Sequence, residues 1–320
     1  MRYSELVPSV QTESNRNSRL PLSWARKEIS HPRLYHLTLP LSGYHWIHRA
    51  DIPWHLSFPQ VYHSEIAGLP GGFVMRGCMP EVRNFLIRQG CECLLIGSEA
   101  VLNLENPAIR KKSLWELNKR GLRRGRIVEV TNEPHAYRLF MALKRNSVHG
   151  KEPQLQHLFR DGWEEASRYF VFETPEQQWL GGISISRNNH DSWHTELILR
   201  IPGAPVGIME ALFHQVQLVL REEGYRYWSL GEVPFYGQGV QQSLKSKFAF
   251  HAGHLLKFAY RYDGLYRFKN KFSPQWQPLY VCASHRISWK MLLDLFVQSG
   301  YIRLAAYKLF HLLHGGNFIS

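Results

Sequence analysis

Leu230-Gly231-Glu232-Val233-Pro234-Phe235 closes a strand that begins at Tyr225, and the elements on either side of it decide the fold. Upstream, Pro205 to Glu223 carries Ile208, Leu212, Val216 and Val219 on one helical face, with Glu210, His214, Gln217 and Arg221 roughly opposite. A helix patterned that way packs across a sheet. Before it come the strand runs Arg168 to Glu173, Leu180 to Ser186 and His194 to Ile201, parted by turn material at Pro175 to Gln178 and Asn188 to Asp191. Turns this short join antiparallel neighbours. Further back, Arg126 to Thr131 reads as a strand, Pro134 to Arg145 as a helix and residues 151–167 as a further helical region.

The same grammar occurs earlier in the chain. A helix over Pro80 to Gln89 stops at Gly90 and a buried strand over Cys91 to Ile96 stops at Gly97; Ile208 to Glu223 with Gly224, and Tyr225 to Leu230 with Gly231, repeat that order with the same seven-residue step between glycines. This is what a duplicated lobe leaves.

Downstream lies Gly264-Leu265-Tyr266-Arg267-Phe268-Lys269-Asn270-Lys271-Phe272-Ser273-Pro274-Gln275-Trp276-Gln277-Pro278-Leu279-Tyr280. Arg267, Lys269 and Lys271 alternate with Tyr266, Phe268 and Phe272, so a strand here would turn its cations one way, as an anion-facing surface, and its rings the other. The arrangement G-L-x-R-F-K-x-K-F-x-P-x-W-x-P-x-Y resembles the closing segment of the soluble catalytic domain of phosphatidylglycerol lysyltransferases, the multiple peptide resistance factor family. The L-G-x-x-P-F run at 230–235, the pair Leu199-Arg200 ahead of the helix, and Asn118, Arg124 and Gly125 within Leu114 to Gly125 are similar to that family too. The resemblance spans roughly residues 75 to 283.

It implies an α+β fold of two tandem N-acetyltransferase-like (GNAT-type) lobes, with mixed, largely antiparallel sheets flanked by helices. In that fold the strands beside the long helix splay apart to form the reaction cleft, which would be faced by residues near Arg200 and Glu232. It also implies aminoacyl transfer from aminoacyl-tRNA to a lipid hydroxyl, a reaction that calls for no cofactor. On this reading Lys269 stabilises the oxyanion or a phosphate, Arg200, Arg267 and Lys271 anchor anions with Tyr236 beside the substrate, and Glu232 or Glu196 assists proton transfer. Where the family has Asp three residues before Arg200, this chain has Leu197, with Glu196 beside it. Neighbouring strand residues face opposite ways, so Glu196 takes that place only through a bulge.

Composition agrees with anionic partners. The 39 Lys and Arg against 26 Asp and Glu give a formal charge of +13, which favours RNA, DNA or anionic lipid headgroups. The densest run is the basic helix Arg110 to Arg124, where Lys111, Lys112, Lys119, Arg120, Arg123 and Arg124 stand as candidates for tRNA phosphate contact. A zinc site can be imagined from His45-x-x-His48 with two further ligands, but structural zinc sites combine close Cys or His pairs compactly and Cys91-x-Cys93 lacks the customary spacing, so no metal is expected. The four cysteines have no framework spacing, which fits a reducing cytoplasm. No apolar run reaches the roughly 18 to 20 residues needed to cross a bilayer.

The expected organisation is a mobile basic arm at 1–30, a degenerate first lobe at 31–125, a second lobe at 126–285 and amphipathic helices at 286–320 broken at Ser299-Gly300. On a wheel of Tyr301 to His314, Ile302, Ala305, Ala306, Leu309, Leu312 and Leu313 share one face; Arg303, Tyr307, Lys308, His311 and His314 share the other, and Leu304 is the misfit. Such a helix lies in an anionic membrane interface or docks on the protein's own core. Two other functions fit the same sequence. One is an acyl-CoA-dependent N-acyltransferase, although Arg200-Ile-Pro-Gly203-Ala204-Pro205 puts proline where its pyrophosphate loop needs a free amide. The other is a noncatalytic adaptor that binds tRNA or membrane.

Overall fold

The computed structural model describes residues 19–106, 111–131, 133–236 and 262–314. The first part of the chain supplies β1 (Trp24–Lys27), β2 (Arg33–Thr38), β3 (His45–Pro53), β4 (Phe73–Cys78) and β5 (Glu92–Asn103). Between β3 and β4, α1 (Phe58–Val61) starts at a capping box formed by Ser57 and Gln60 and runs on as a π-helical turn over Tyr62–Ile66. Between β4 and β5, α2 (Pro80–Arg88) opens with a proline, where no amide is needed. It is stopped by Gly90, whose φ of 82° is left-handed.

The chain continues through α3 (Lys112–Leu122), β6 (Arg126–Val130), α4 (Pro134–Asn146), β7 (Arg168–Glu173), β8 (Trp179–Arg187) and β9 (Ser192–Arg200). After these come α5 (Ile208–Glu222), β10 (Tyr227–Pro234), α6 (Tyr262–Asn270), β11 (Gln275–Ala283), α7 (Trp289–Gln298) and α8 (Tyr301–Leu313). The strands form one 11-stranded sheet in the order β1-β3-β4-β11-β5-β10-β9-β8-β7-β6, with β2 on β3. It is largely antiparallel, the parallel pairs being β1 with β3, β3 with β4 and β9 with β10.

The two copies of the helix-glycine-strand grammar meet at the middle of this sheet, where β5 and β10 pair antiparallel with Trp228 opposite Leu102. The halves also interlock, because β11, from the end of the stretch read as the second lobe, lies between β4 and β5 of the first. That register sets Cys93 opposite Cys282, and a disulfide joins them. Sequence spacing gave no sign of this cross-strand pair, since the partners come from opposite ends of the chain.

Alternation along β7 feeds two cores. Phe170 and Phe172 face α5, where Leu212, Phe213 and Val216 are buried, while Tyr169 and Val171 face α4 with Phe140 and Leu143. Each such side chain contributes roughly 1.5–3 kcal/mol on burial. Outside α5, α3 packs so closely that a Cβ on Gly121 would lie 2.3 Å from the carbonyl oxygen of Gly207. Since backbone cannot yield as a side chain can, Gly121→Ala is expected to destabilise the fold by about 1–3 kcal/mol, read as a lower urea midpoint with an unchanged slope.

Five readings are corrected by the fold. The segment expected as an alternating strand is α6 and the turn that follows it: Phe268 on the helix and Phe272 in the turn both pack on Phe213, at 5.0 and 5.2 Å, so the helical period wins over the strand period. Residues 151–167 contain no helix; amides there are taken by side chains, Arg160 N donating to Glu196 Oε2 (2.9 Å) and Glu164 N to Tyr169 Oη (2.6 Å). Gly97 and Gly231 do not end their strands, and at Gly97 a Cβ would lie 2.6 Å from Val233 O, so the glycine permits close approach of β10. Trp24–Lys27, within the stretch read as a mobile arm, is β1, with Trp24 buried; residues 1–18 lie outside the described set. The cysteines are not all unpaired, as noted above.

Candidate active site

β9 and β10 run side by side only where Ser192–His194 faces Tyr227–Ser229. Beyond that point β9 stays with β8 while β10 follows β5, and the two strands part. A bulge causes the parting: the β10–β5 register shifts between Ser229 and Glu232, and Gly231 sits there at φ 88°. Within the bulge, Gly231 N donates to Ser229 Oγ at 3.1 Å, and Thr195 Oγ1 ties the strands by donating to Ser229 O at 2.9 Å.

Lys269 reaches this opening from α6. Its Nζ donates to Glu232 O at 2.9 Å, and a Cβ on Gly231 would stand 3.3 Å from that nitrogen and 4.0 Å from His194 Cε1. Lys269 is only 2% exposed. Burial pulls its ammonium down to about 7, against the pull of the Glu232 and Glu99 carboxylates. His194 is buried beside it, with Nδ1 3.0 Å from Ser229 Oγ and 3.8 Å from Glu99 Oε1. Burial brings its imidazole down to about 4, Glu99 opposing and Lys269 and Arg160 adding to the fall. Glu99 faces Glu232 on one side and Gln277 on the other. The Glu232 carboxylate accepts from Arg76 Nη2 at 2.8 and 2.7 Å. Tyr236, just past β10, stacks on Tyr266 at 4.3 Å and leans on Trp276 at 5.1 Å, forming an aromatic wall next to the lysine's helix.

This neighbourhood joins a low-pKa cation, a neutral imidazole and two carboxylates. It can place positive charge against a developing oxyanion and accept a proton. The histidine makes a pH-dependent contribution to stability. Its folded pKa lies below its unfolded value, so between about 6.5 and about 4 the unfolded chain binds the extra proton and stability falls as pH drops. His194→Gln is expected to remove about 3 kcal/mol of that fall, seen as a flatter urea-midpoint profile across this window.

The expected site residues divide. Lys269 and Glu232 come together. Glu196 does sit on a bulge, the register passing from Ser184 opposite Leu197 to Ile185 opposite Thr195. There its carboxylate accepts from Ser186 Oγ (2.6 Å) and Arg160 N (2.9 Å). Lys271 forms an ion pair with Glu210 of α5 at 2.7 Å. Arg267 and Arg200 are exposed, on α6 and at the end of β9. Lys111, Lys112, Lys119, Arg120, Arg123 and Arg124 are exposed on and around α3, Lys119 lying over the Trp115 ring at 4.9 Å, while Arg110 lies outside the described residues. Lys111 Nζ is 3.5 Å from Asn270 O, so the basic helix adjoins the end of α6.

Sequence reasoning missed Arg76, Glu99 and His194. The signal available was a charged or titratable residue inside an otherwise apolar strand, which is rarely buried without a partner. Among the described residues no group of three or more His, Cys, Asp and Glu is arranged to hold a metal, and no helix is long and apolar enough to cross a membrane.

Comparison with known proteins bears out the resemblance in the second half of the chain. Residues 154–283 match the family model described as phosphatidylglycerol lysyltransferase, C-terminal. The phosphatidylglycerol lysyltransferase of Staphylococcus epidermidis is 29% identical over 103 residues, 31% of this chain and 12% of that protein. The one from Bacillus subtilis is 32% identical over 87 residues, 26% of this chain and 10% of that protein. The matched segment thus spans about a tenth of these relatives' length. Among solved structures, the C-terminal domain of a putative lysylphosphatidylglycerol synthetase from Agrobacterium fabrum superposes with a TM-score of 0.59 at 18% identity, covering 89% of this chain and 87% of that one. L-PGS from Bacillus licheniformis gives 0.57 at 18% identity, over 71% and 72%. The α+β fold class expected from the sequence is that of these domains.

Proposed function

We propose that the chain is a transferase that moves an aminoacyl group from aminoacyl-tRNA to the hydroxyl of a lipid headgroup such as that of phosphatidylglycerol. One observation carries the reading: Lys269, inside the segment matched to phosphatidylglycerol lysyltransferases, is buried where β9 and β10 part, its Nζ on Glu232 O. The acceptor oxygen attacks the ester carbonyl carbon, the bond to the ribose oxygen breaks, and the acceptor's proton ends on that leaving oxygen. One ester replaces another, so neither an oxidant nor a nucleotide is consumed. The protein's tasks are to hold two anionic partners, to move one proton and to stabilise one oxyanion.

In this account the Lys269 ammonium faces the oxyanion. Of the two carboxylates offered for proton transfer, both are engaged, Glu232 by Arg76 and Glu196 by Ser186 and Arg160, and Glu232 is the one whose charge bears on the lysine. Arg200 and Arg267 supply exposed positive charge for phosphates, and Tyr236 contributes the aromatic wall. Lys112, Lys119, Arg120, Arg123 and Arg124 of the basic helix, with Lys111 leading to α6, form the track for tRNA phosphates. The reaction needs both charged tRNA and bilayer lipid, which puts the protein at the cytoplasmic face of a membrane.

Mass spectrometry of lipids from cells with and without the gene tests the reading. It expects an aminoacylated phospholipid that disappears with the gene. Unchanged lipids, or a missing N-acylated metabolite instead, would overturn it in favour of the adaptor or of acyl-CoA chemistry.

A further inference from the structure

The C-terminal helices dock by the wrong face for a protein that meets only water. α8 is held through Tyr301, Leu304 and Lys308, all buried. Leu304 was the one apolar residue on the polar side of the wheel, and Lys308, a polar-face residue, is pinned by an ion pair with Glu152. The turn before it is fixed as well: Gln156 N donates to Ser299 O at 2.9 Å, and Gly300 turns the chain at φ 74°. The helix is therefore locked with its apolar stripe outward, Leu313 being 75% and Phe310 58% exposed, with Ile302 and Leu309 beside them.

α7 repeats the arrangement. Its buried face carries Met291 and Asp294, whose carboxylate accepts from Leu41 N (3.1 Å), Ser42 N (2.8 Å) and Ser42 Oγ (2.8 Å). A charge thus faces the protein while Trp289, 54% exposed, and Leu293 face outward. Exposed apolar side chains on two successive helices exceed what a soluble surface scatters singly.

Charge indicates what covers them. Arg286, Lys290 and Arg303 are exposed, and the acid of this stretch, Asp294, is buried. A second copy of the same face would bring like charges together across a two-fold axis. An anionic bilayer instead receives the apolar stripe below its headgroups and the cations among them, with tryptophan at the boundary.

We propose that the outward face of α7 and α8 seats the protein on the surface of an anionic bilayer. The inference deepens the lipid-acceptor reading and rests on it for its purpose, since the seat would bring the opening between β9 and β10 to a membrane that supplies the acceptor.

The test compares the full chain with its Leu309→Glu/Leu313→Glu variant, both substitutions lying at exposed positions, with thermal melts confirming equal folding. Co-sedimentation uses vesicles of phosphatidylcholine alone and of phosphatidylcholine with phosphatidylglycerol. The unaltered chain is expected to pellet with the anionic vesicles, less so in high salt, and the variant to lose at least about tenfold in binding. Equal binding by the two proteins would overturn the proposal, and so would a concentration-dependent dimer in gel filtration that the variant abolishes. Transfer to a short-chain, water-dispersed phosphatidylglycerol separates the two readings. The variant is expected to retain it. If the unaltered chain binds vesicles but transfers to neither acceptor, the proposed reaction fails and the seat stands.

Discussion

Lys269→Ala is expected to lower aminoacyl transfer by on the order of a hundredfold or more, the scale of losing one preorganised oxyanion donor, with a much smaller change in tRNA binding. The side chain is buried against Glu232 O, whereas the cations of α3 are exposed, so deletion removes charge from the reaction centre and leaves the phosphate track intact. If it gripped phosphate instead, binding would weaken, its salt dependence would become shallower and saturating substrate would restore the rate. The pH profile gives a second reading. Because burial brings the ammonium down to about 7, a lysine that works as a cation loses function as pH rises through that value. Lys269→Arg keeps its charge throughout, so the falling limb should disappear even if altered geometry reduces the rate. Activity that rises through the same range would make the neutral amine the working form.

The second large effect concerns stability. Arg160 is 2% exposed and joins three parts of the chain: Nη2 donates to Ala50 O (2.6 Å) and Asp51 Oδ1 (2.7 Å), Nε to Ser23 O (3.0 Å) and Nη1 to Glu164 Oε2 (2.7 Å). Burial opposes its charge, and Glu164, Glu196 and Asp51 together hold its pKa above the usual value. Arg160→Met keeps the volume, takes from the buried Glu196 its nearby cation and leaves Asp51 and Glu164 to Lys27 and Arg49. About 3–5 kcal/mol of destabilisation is expected, because breaking a buried pair leaves the partner unpaired. Adding Glu196→Gln should recover part of it. A loss below about 0.5 kcal/mol, the level of an ordinary surface change, would show that water replaces the guanidinium.

Much of the second lobe was legible because its signals are local. Strand, turn and helix boundaries from Arg168 to Pro234 follow from apolar period and turn residues, and Arg168–Glu173 is matched residue for residue. The break at Ser299-Gly300 was legible for the same reason: a left-handed glycine is a chemical signal. What failed depended on partners distant in sequence. Alternating charges at 267–271 suggested a strand, and only the Phe213 ring on α5 shows why a helix forms there. The segment 151–167 lacks a helix because it threads Arg160 to Ser23, Ala50 and Asp51, groups more than a hundred residues away. β11 lies in the stretch read as the second lobe and pairs with β4 and β5 of the first. The candidate site was half legible for the same cause. Lys269 and Glu232 stand in motifs, whereas Arg76, Glu99 and His194 acquire meaning only when the sheet sets three strands beside the Gly231 bulge.

The central claim is the reaction, and the most direct measurement of it is label transfer. Purified protein is mixed with a pool of tRNA charged with radiolabelled amino acids and with vesicles containing phosphatidylglycerol, and the organic-extractable label is counted. The account predicts label in the lipid phase that requires the protein, is sensitive to ribonuclease treatment of the donor beforehand, and is reduced on the order of a hundredfold by Lys269→Ala. Lipid that stays unlabelled with every charged tRNA, while the same preparation acylates an amine from acyl-CoA, would contradict it.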